Sequence, residues 1–219
     1  MTSHQERIDR YAALVVRVAA NVQPGQQVVV MADISHAPIA RAVAEDAYAV
    51  GASRVFVDYA DPLVRRSALL HAPEEGLRDV RPWELARLEE WEESGTAVIR
   101  LTGNADPHVF DGIDPGRLAI TGTEWATRFR QVLLGGSVQW TIVAAPNPGW
   151  AEQVFGEPDL DRLWAAVEVA MRLDAGDADA VVEEWRRHPD RLGSRAATLT
   201  GLGLTRSATT AAAPTSSSA

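Results

Sequence analysis

A chain of 219 residues can bury one sizeable core but hardly two, and 46% apolar with 23% charged residues is the balance of an ordinary globular protein. It has no cysteine, which removes disulfides, thiolate zinc ligation and a cysteine nucleophile. A net charge of −9, with 21 basic residues that are all arginine and scattered, argues against a nucleic-acid partner, and no apolar run reaches the length of a bilayer span or signal sequence, so a cytoplasmic protein is expected.

Ser3 followed by Glu6 has the spacing of a capping box, and Ile8, Tyr11, Ala12, Val15, Val18, Ala19 and Val22 recur at helical intervals. A helix therefore opens the chain and ends at Pro24-Gly25. Gln27 to Met31 reads as the first strand. Ser35 or His36 begins a second helix, with Pro38 in its first turn and Gly51 as its left-handed cap, and Arg54 to Tyr59 is the next strand. Joints this short make a right-handed parallel crossover. Asp61-Pro62 caps a helix to about His71, Pro82 opens another that Gly95 stops, and Thr96 to Leu101 is a third strand. One helix is expected over 117–134.

Val138 to Ala144 is a short uncharged run rich in β-branched and aromatic residues, which predicts a central strand buried on both faces. Pro146 and Pro148 cannot donate to a ladder, so the chain must turn there, with Trp150 placed to fold back as a plug. Apolar residues at helical spacing predict two last helices, over 159–174 and 180–199, with a kink at Pro189. The whole reads as a layered α/β domain over residues 1–200, with a mostly parallel sheet, flanking helices and two carboxyl-terminal helices. Residues 201–219, which hold no large apolar side chain after Leu204, are expected to be a disordered tail.

In an open parallel sheet the site lies at the carboxyl edge of the strands. Asp33, His36, Asp61, Asp106 and His108 stand in those loops as candidate metal ligands or an acid and base pair, and Asp33, Asp61 and Asn147 as a ligand-holding edge. The simpler reading makes the aspartates helix caps. The first strand leads into Ala-Asp-Ile-Ser-His, with no glycine to admit a pyrophosphate. His71, Glu74 and Glu75 are separated by the helix-breaking Pro73 and read as a helix end. Glu84, Glu89, Glu90, Glu92 and Glu93 read as a solvated helix face. Ser137 precedes a strand, so it is no nucleophile elbow, and His188 reads as a packed core histidine. Composition and spacing alone identify no catalytic set.

The series Tyr11-Ala12 and Leu14 to Val18, Asn21 to Gln26, Ala47-Tyr48 to Gly51-Ala52, Tyr59 to Pro62, and Trp140-Thr141-Ile142-Val143-Ala144 with Pro146, Pro148 and Trp150-Ala151 resembles the amino-terminal half of the thermophilic-type metalloaminopeptidases, the aminopeptidase T and aminopeptidase S family. The resemblance implies a hydrolase that removes amino-terminal residues from peptides with two divalent ions such as zinc, cobalt or manganese, and a homodimer. It also implies that the metal-site and catalytic residues belong to a carboxyl-terminal domain. None of those motifs is matched here, so no catalytic, metal or cofactor-binding residue is assigned. The expectation is a chain cut off before its catalytic half and inactive alone, or, as the alternative, a standalone ligand-binding or interaction module. A surface meant for the second domain should then be apolar, and the helices of Trp164 and Trp185 are the expected place.

Overall fold

The computed structural model describes residues 3–202; of the expected tail over 201–219, Gly201 ends a helix and Leu202 caps it, and residues 203–219 lie outside the described residues. The chain begins with α1 (His4–Leu14), capped as its sequence predicts: Ser3 Oγ accepts from the Glu6 backbone N–H, and Glu6 answers the Ser3 N–H at 2.6 Å. The helix then widens into a π turn over Val15–Ala19, where the Ala20 N–H reaches the Val15 carbonyl at 2.8 Å. Strand β1 (Gln27–Asp33), helix α2 (Ala37–Ala49) and strand β2 (Arg54–Ala60) form the first crossover. Next come α3 (Pro62–His71), the short α4 (Glu74–Arg78), α5 (Pro82–Ser94) and β3 (Ala97–Thr102).

The single helix expected over 117–134 is two, α6 (Pro115–Ile120) and α7 (Thr123–Leu134), because Gly122 takes a left-handed φ of 61° between them. After β4 (Gln139–Ala144) comes a helix the sequence reading lacked, α8 (Pro148–Phe155). Helix α9 (Leu160–Ala170) and the 24-residue α10 (Ala178–Gly201), which carries Pro189 within it, complete the described chain.

The four strands are parallel, in the order β2-β1-β3-β4. Val28, Val30, Ala97, Ile99 and Leu101 pack on one face beneath α1, α2 and α10, in a cluster that also holds Trp164. On the other face Val29 and Val98 meet Leu88 and Trp91 of α5 and Phe129 and Val132 of α7. Helices on both faces make this a doubly wound sheet.

One expectation fails. The strand of Trp140 is an edge strand, and its pairing with β3 puts Trp140 and Ile142 on the α5/α7 face but beyond the cover of those helices, 42% and 52% exposed. A charge-free run encodes compatibility with burial and says nothing of whether a partner arrives. The apolar surface expected on the helices of Trp164 and Trp185 is there in part, with Val169 of α9 and Leu192 and Leu199 of α10 exposed, but it does not include the tryptophans themselves. Trp164 is buried, and Trp185 packs against the core with its indole N–H donated to the Met171 carbonyl at 2.7 Å. Apolar exposure also falls on Trp140 and Ile142, and in the distal half of α10 every residue from Pro189 to Leu202 is exposed.

Candidate functional site

The crossover from β1 to β2 runs on the α2 face, whereas the chain returns over β1 to β3 and on to β4 along the α5/α7 face. The strand order therefore reverses between β1 and β3, and the crevice beyond their carboxyl ends is where a fold of this kind seats ligands. His36 fills it. The Asp33 N–H donates to His36 Nδ1 at 3.2 Å, and His36 Nε2 is 2.6 Å from the Gly103 carbonyl, which can only accept. The ring hydrogen is thereby assigned to Nε2, and a ring that is only 2% exposed has both nitrogens bonded to backbone. His36 ties the loop after β1 to the loop after β3 and has no lone pair free for a metal ion.

The loop after β4 joins the same knot. Gly103 has φ 131° and passes so close that a Cβ there would lie 2.8 Å from the Ala145 carbonyl oxygen. Buried Asn147 donates from Nδ2 to the Ala145 carbonyl at 3.0 Å and accepts the Trp150 N–H at 2.9 Å, so it caps α8. Gly149 presses onto the backbone of Ala105. From below, the Tyr11 hydroxyl donates to the Ala144 carbonyl at 2.6 Å, and burial pushes its pKa up to about 12.

The remaining sequence candidates are spread out. Asp61 caps α3, accepting from the Leu63 N–H at 2.8 Å. Asp106 accepts the His108 N–H, and the exposed His108 ring faces Asp111 at 3.0 Å. His71 ends α3 and Glu74 begins α4, as a helix boundary should. Of the acidic face of α5, Glu84 caps the helix by accepting the Arg81 N–H and Glu92 pairs with Arg128 at 2.7 Å. Ser137 is exposed ahead of β4. His188 is half-buried, edge-on to Trp185 at 5.3 Å, and not in the core as expected. Among the described residues no three histidine or carboxylate side chains gather as a metal group, so these residues do not fit a two-ion centre. No described helix is long and apolar enough to cross a membrane.

A cavity of about 350 Å³ does open at the carboxyl edge, on the α5/α7 face above β2, β1 and β3, between Asp33, Asp61, Arg65 and Arg100. A larger hollow of about 700 Å³ lies away from the strand ends, between α5 and α7, where Arg128 is already paired with Glu92. The strand-end cavity has the chemistry, since its charged groups converge where the fold leaves backbone ends open. Sequence reading found Asp33 and Asp61 but not Arg65 or Arg100, because an arginine in a strand or a first helical turn carries no local signal of a cavity.

The sequence matches the pattern of the thermophilic metalloprotease (M29) family over residues 4–215. It is 32% identical to aminopeptidase 2 of Geobacillus stearothermophilus over 199 residues, which cover 88% of this chain and 47% of that protein. Aminopeptidase T of Thermus aquaticus is 32% identical over 206 residues, covering 91% of this chain and 50% of the relative. The solved structure of wild-type AmpT from Thermus thermophilus superposes with a TM-score of 0.68 at 31% identity, over 75% of this chain and 43% of that one. The chain thus spans about half the length of the curated relatives it matches. With the family pattern running through the doubly wound sheet, its helices and the pinned loops at its carboxyl edge, the chain belongs to the thermophilic metalloprotease (M29) family.

Proposed function

We propose that these residues are the scaffold half of a metal-dependent aminopeptidase, an enzyme releasing amino-terminal residues from peptides in the cytoplasm, and that its divalent ions are held by residues outside this half. The observation that carries the reading is how the polar groups at the sheet edge are used. His36 spends both ring nitrogens on backbone, Asn147 caps α8 and Asp61 gives Oδ1 to capping α3, so the histidine and the set of acids a two-ion centre would take are not assembled here. Residues 1–200 form this half, and the 219 residues alone hydrolyse nothing. The exposed Trp140 and Ile142 are where the remainder of the enzyme or a second copy would pack.

The test is hydrolysis of amino-acyl anilides with added cobalt, zinc or manganese. The 219-residue chain is expected to give no chelator-sensitive turnover, whereas a polypeptide carrying this half joined to the second half of a relative is expected to give it. Chelator-sensitive turnover by the 219 residues alone would refute the scaffold reading. The alternative reading, a ligand-binding module, is favoured by one observation, the charged cavity at the strand ends.

A further inference from the structure

We propose that the strand-end cavity binds a free α-amino acid with an apolar side chain. Its charge pattern is the argument. Arg65, one turn into α3, lies over the Phe110 ring at 5.3 Å, and Arg100 projects from β3 on the face left open beyond α5 and α7. Neither guanidinium is in an ion pair among the described residues, whereas 11 other arginines are. Arg is the side chain best suited to a carboxylate, because its planar fork matches the two oxygens.

The same cavity is lined by the carboxylates of Asp33 and Asp61, both outside any ion pair among the described residues, with only Oδ1 of Asp61 used in capping α3, while the nearby Asp58 is already neutralised by Arg87 at 2.8 Å. Two cations and two anions lining one cavity select a ligand that carries one charge of each sign. A phosphate is disfavoured twice over. The acids repel a polyanion, and the α3 amides of Leu63 and Val64 that could cradle it are taken by the Asp61 side chain. Met31 and Phe110 supply an apolar wall for the side chain, and the volume of about 350 Å³ falls at the lower end for small-molecule sites.

In this arrangement Arg65 and Arg100 receive the ligand carboxylate and Asp33 and Asp61 its ammonium group. A free amino acid is what an aminopeptidase releases, so the site would report product to the enzyme. Binding itself does not rest on the peptidase reading and is measured without turnover.

The experiment is a titration of the 219-residue chain with leucine, leucinamide and N-acetylleucine, followed by calorimetry and by backbone amide NMR shifts. Leucine is expected to bind with a Kd on the order of 1 mM, as befits a ligand with few non-hydrogen atoms. Each blocked form is expected to bind at least about tenfold more weakly, the loss expected when one charge partner in the cavity goes unanswered. Arg100→Gln, on an exposed side chain, is expected to abolish binding while leaving the melting temperature unchanged. Equal binding of either blocked form, undiminished binding to Arg100→Gln, or no shift at ten times the expected Kd would overturn the proposal.

Discussion

Gly149→Ala is expected to destabilise the domain by about 3 kcal/mol, the upper end of what overpacking a core costs. A Cβ at this position would lie 2.1 Å from the Ala105 carbonyl oxygen and 2.7 Å from its carbon. Both atoms are backbone, so no side chain can swing aside. Either the first turn of α8 withdraws, breaking the Asn147 cap, or the loop after β3 moves and takes the Gly103 carbonyl from His36. Against a total stability of about 5–15 kcal/mol, that is a large share. Gly193→Ala is the matched control: it lies in α10 with nothing within 4 Å, and alanine there is expected to be neutral or stabilising by up to about 1 kcal/mol. Urea denaturation of the two variants beside the parent chain decides the matter, and equal midpoints would contradict the packing described.

Stability is also expected to fall steeply between pH 10 and 12, and Tyr11 is the cause. Its hydroxyl is buried against the Ala144 carbonyl, and burial raises its pKa from 10.0 to about 12. Below pH 10 the phenol keeps its proton whether the chain is folded or not, and the full contribution is present. As pH rises through this window the unfolded chain gives up the proton while the folded chain keeps it, so the unfolded state is favoured. The gap corresponds to about 2–3 kcal/mol. The chain contains neither lysine nor cysteine, which removes the other side chains that ordinarily titrate in this window alongside tyrosine. Tyr11→Phe is expected to lose about 1–2 kcal/mol at neutral pH, since the Ala144 carbonyl loses its donor, and to show a flatter decline at high pH. Chemical denaturation of both proteins from pH 8 to 12 measures this, and parallel curves would exclude Tyr11.

What could be read from the residues follows the range of the forces involved. Caps and stops are local, so Ser3 with Glu6, Asp61 with Pro62, and Pro82 with Gly95 mark helix ends where the structure has them. The same local logic marks α8 at Asn147-Pro148, an N-cap followed by a first-turn proline, although two prolines there also read as strand terminators. Strand order is not local. Nothing within Val138 to Ala144 distinguishes a run covered on both faces from one left half bare at an edge. The site shows the same division. Asp33, His36 and Asp61 were visible as polar residues at strand ends, but the partner that makes His36 a strut is Gly103, 67 positions away. The cavity needs Arg65 and Arg100 from two elements that meet only after the sheet has formed.

The exposed β4 edge and the bare outer half of α10 are consistent with surfaces completed by more protein. That this half positions and other residues catalyse is most directly tested by equilibrium dialysis of the 219-residue chain against cobalt or zinc at micromolar concentration. No stoichiometric ion should be retained. Two ions bound per chain, removed by a chelator and lost on substituting the acids and histidines at the strand ends, would place the hydrolytic centre in this half and contradict the account.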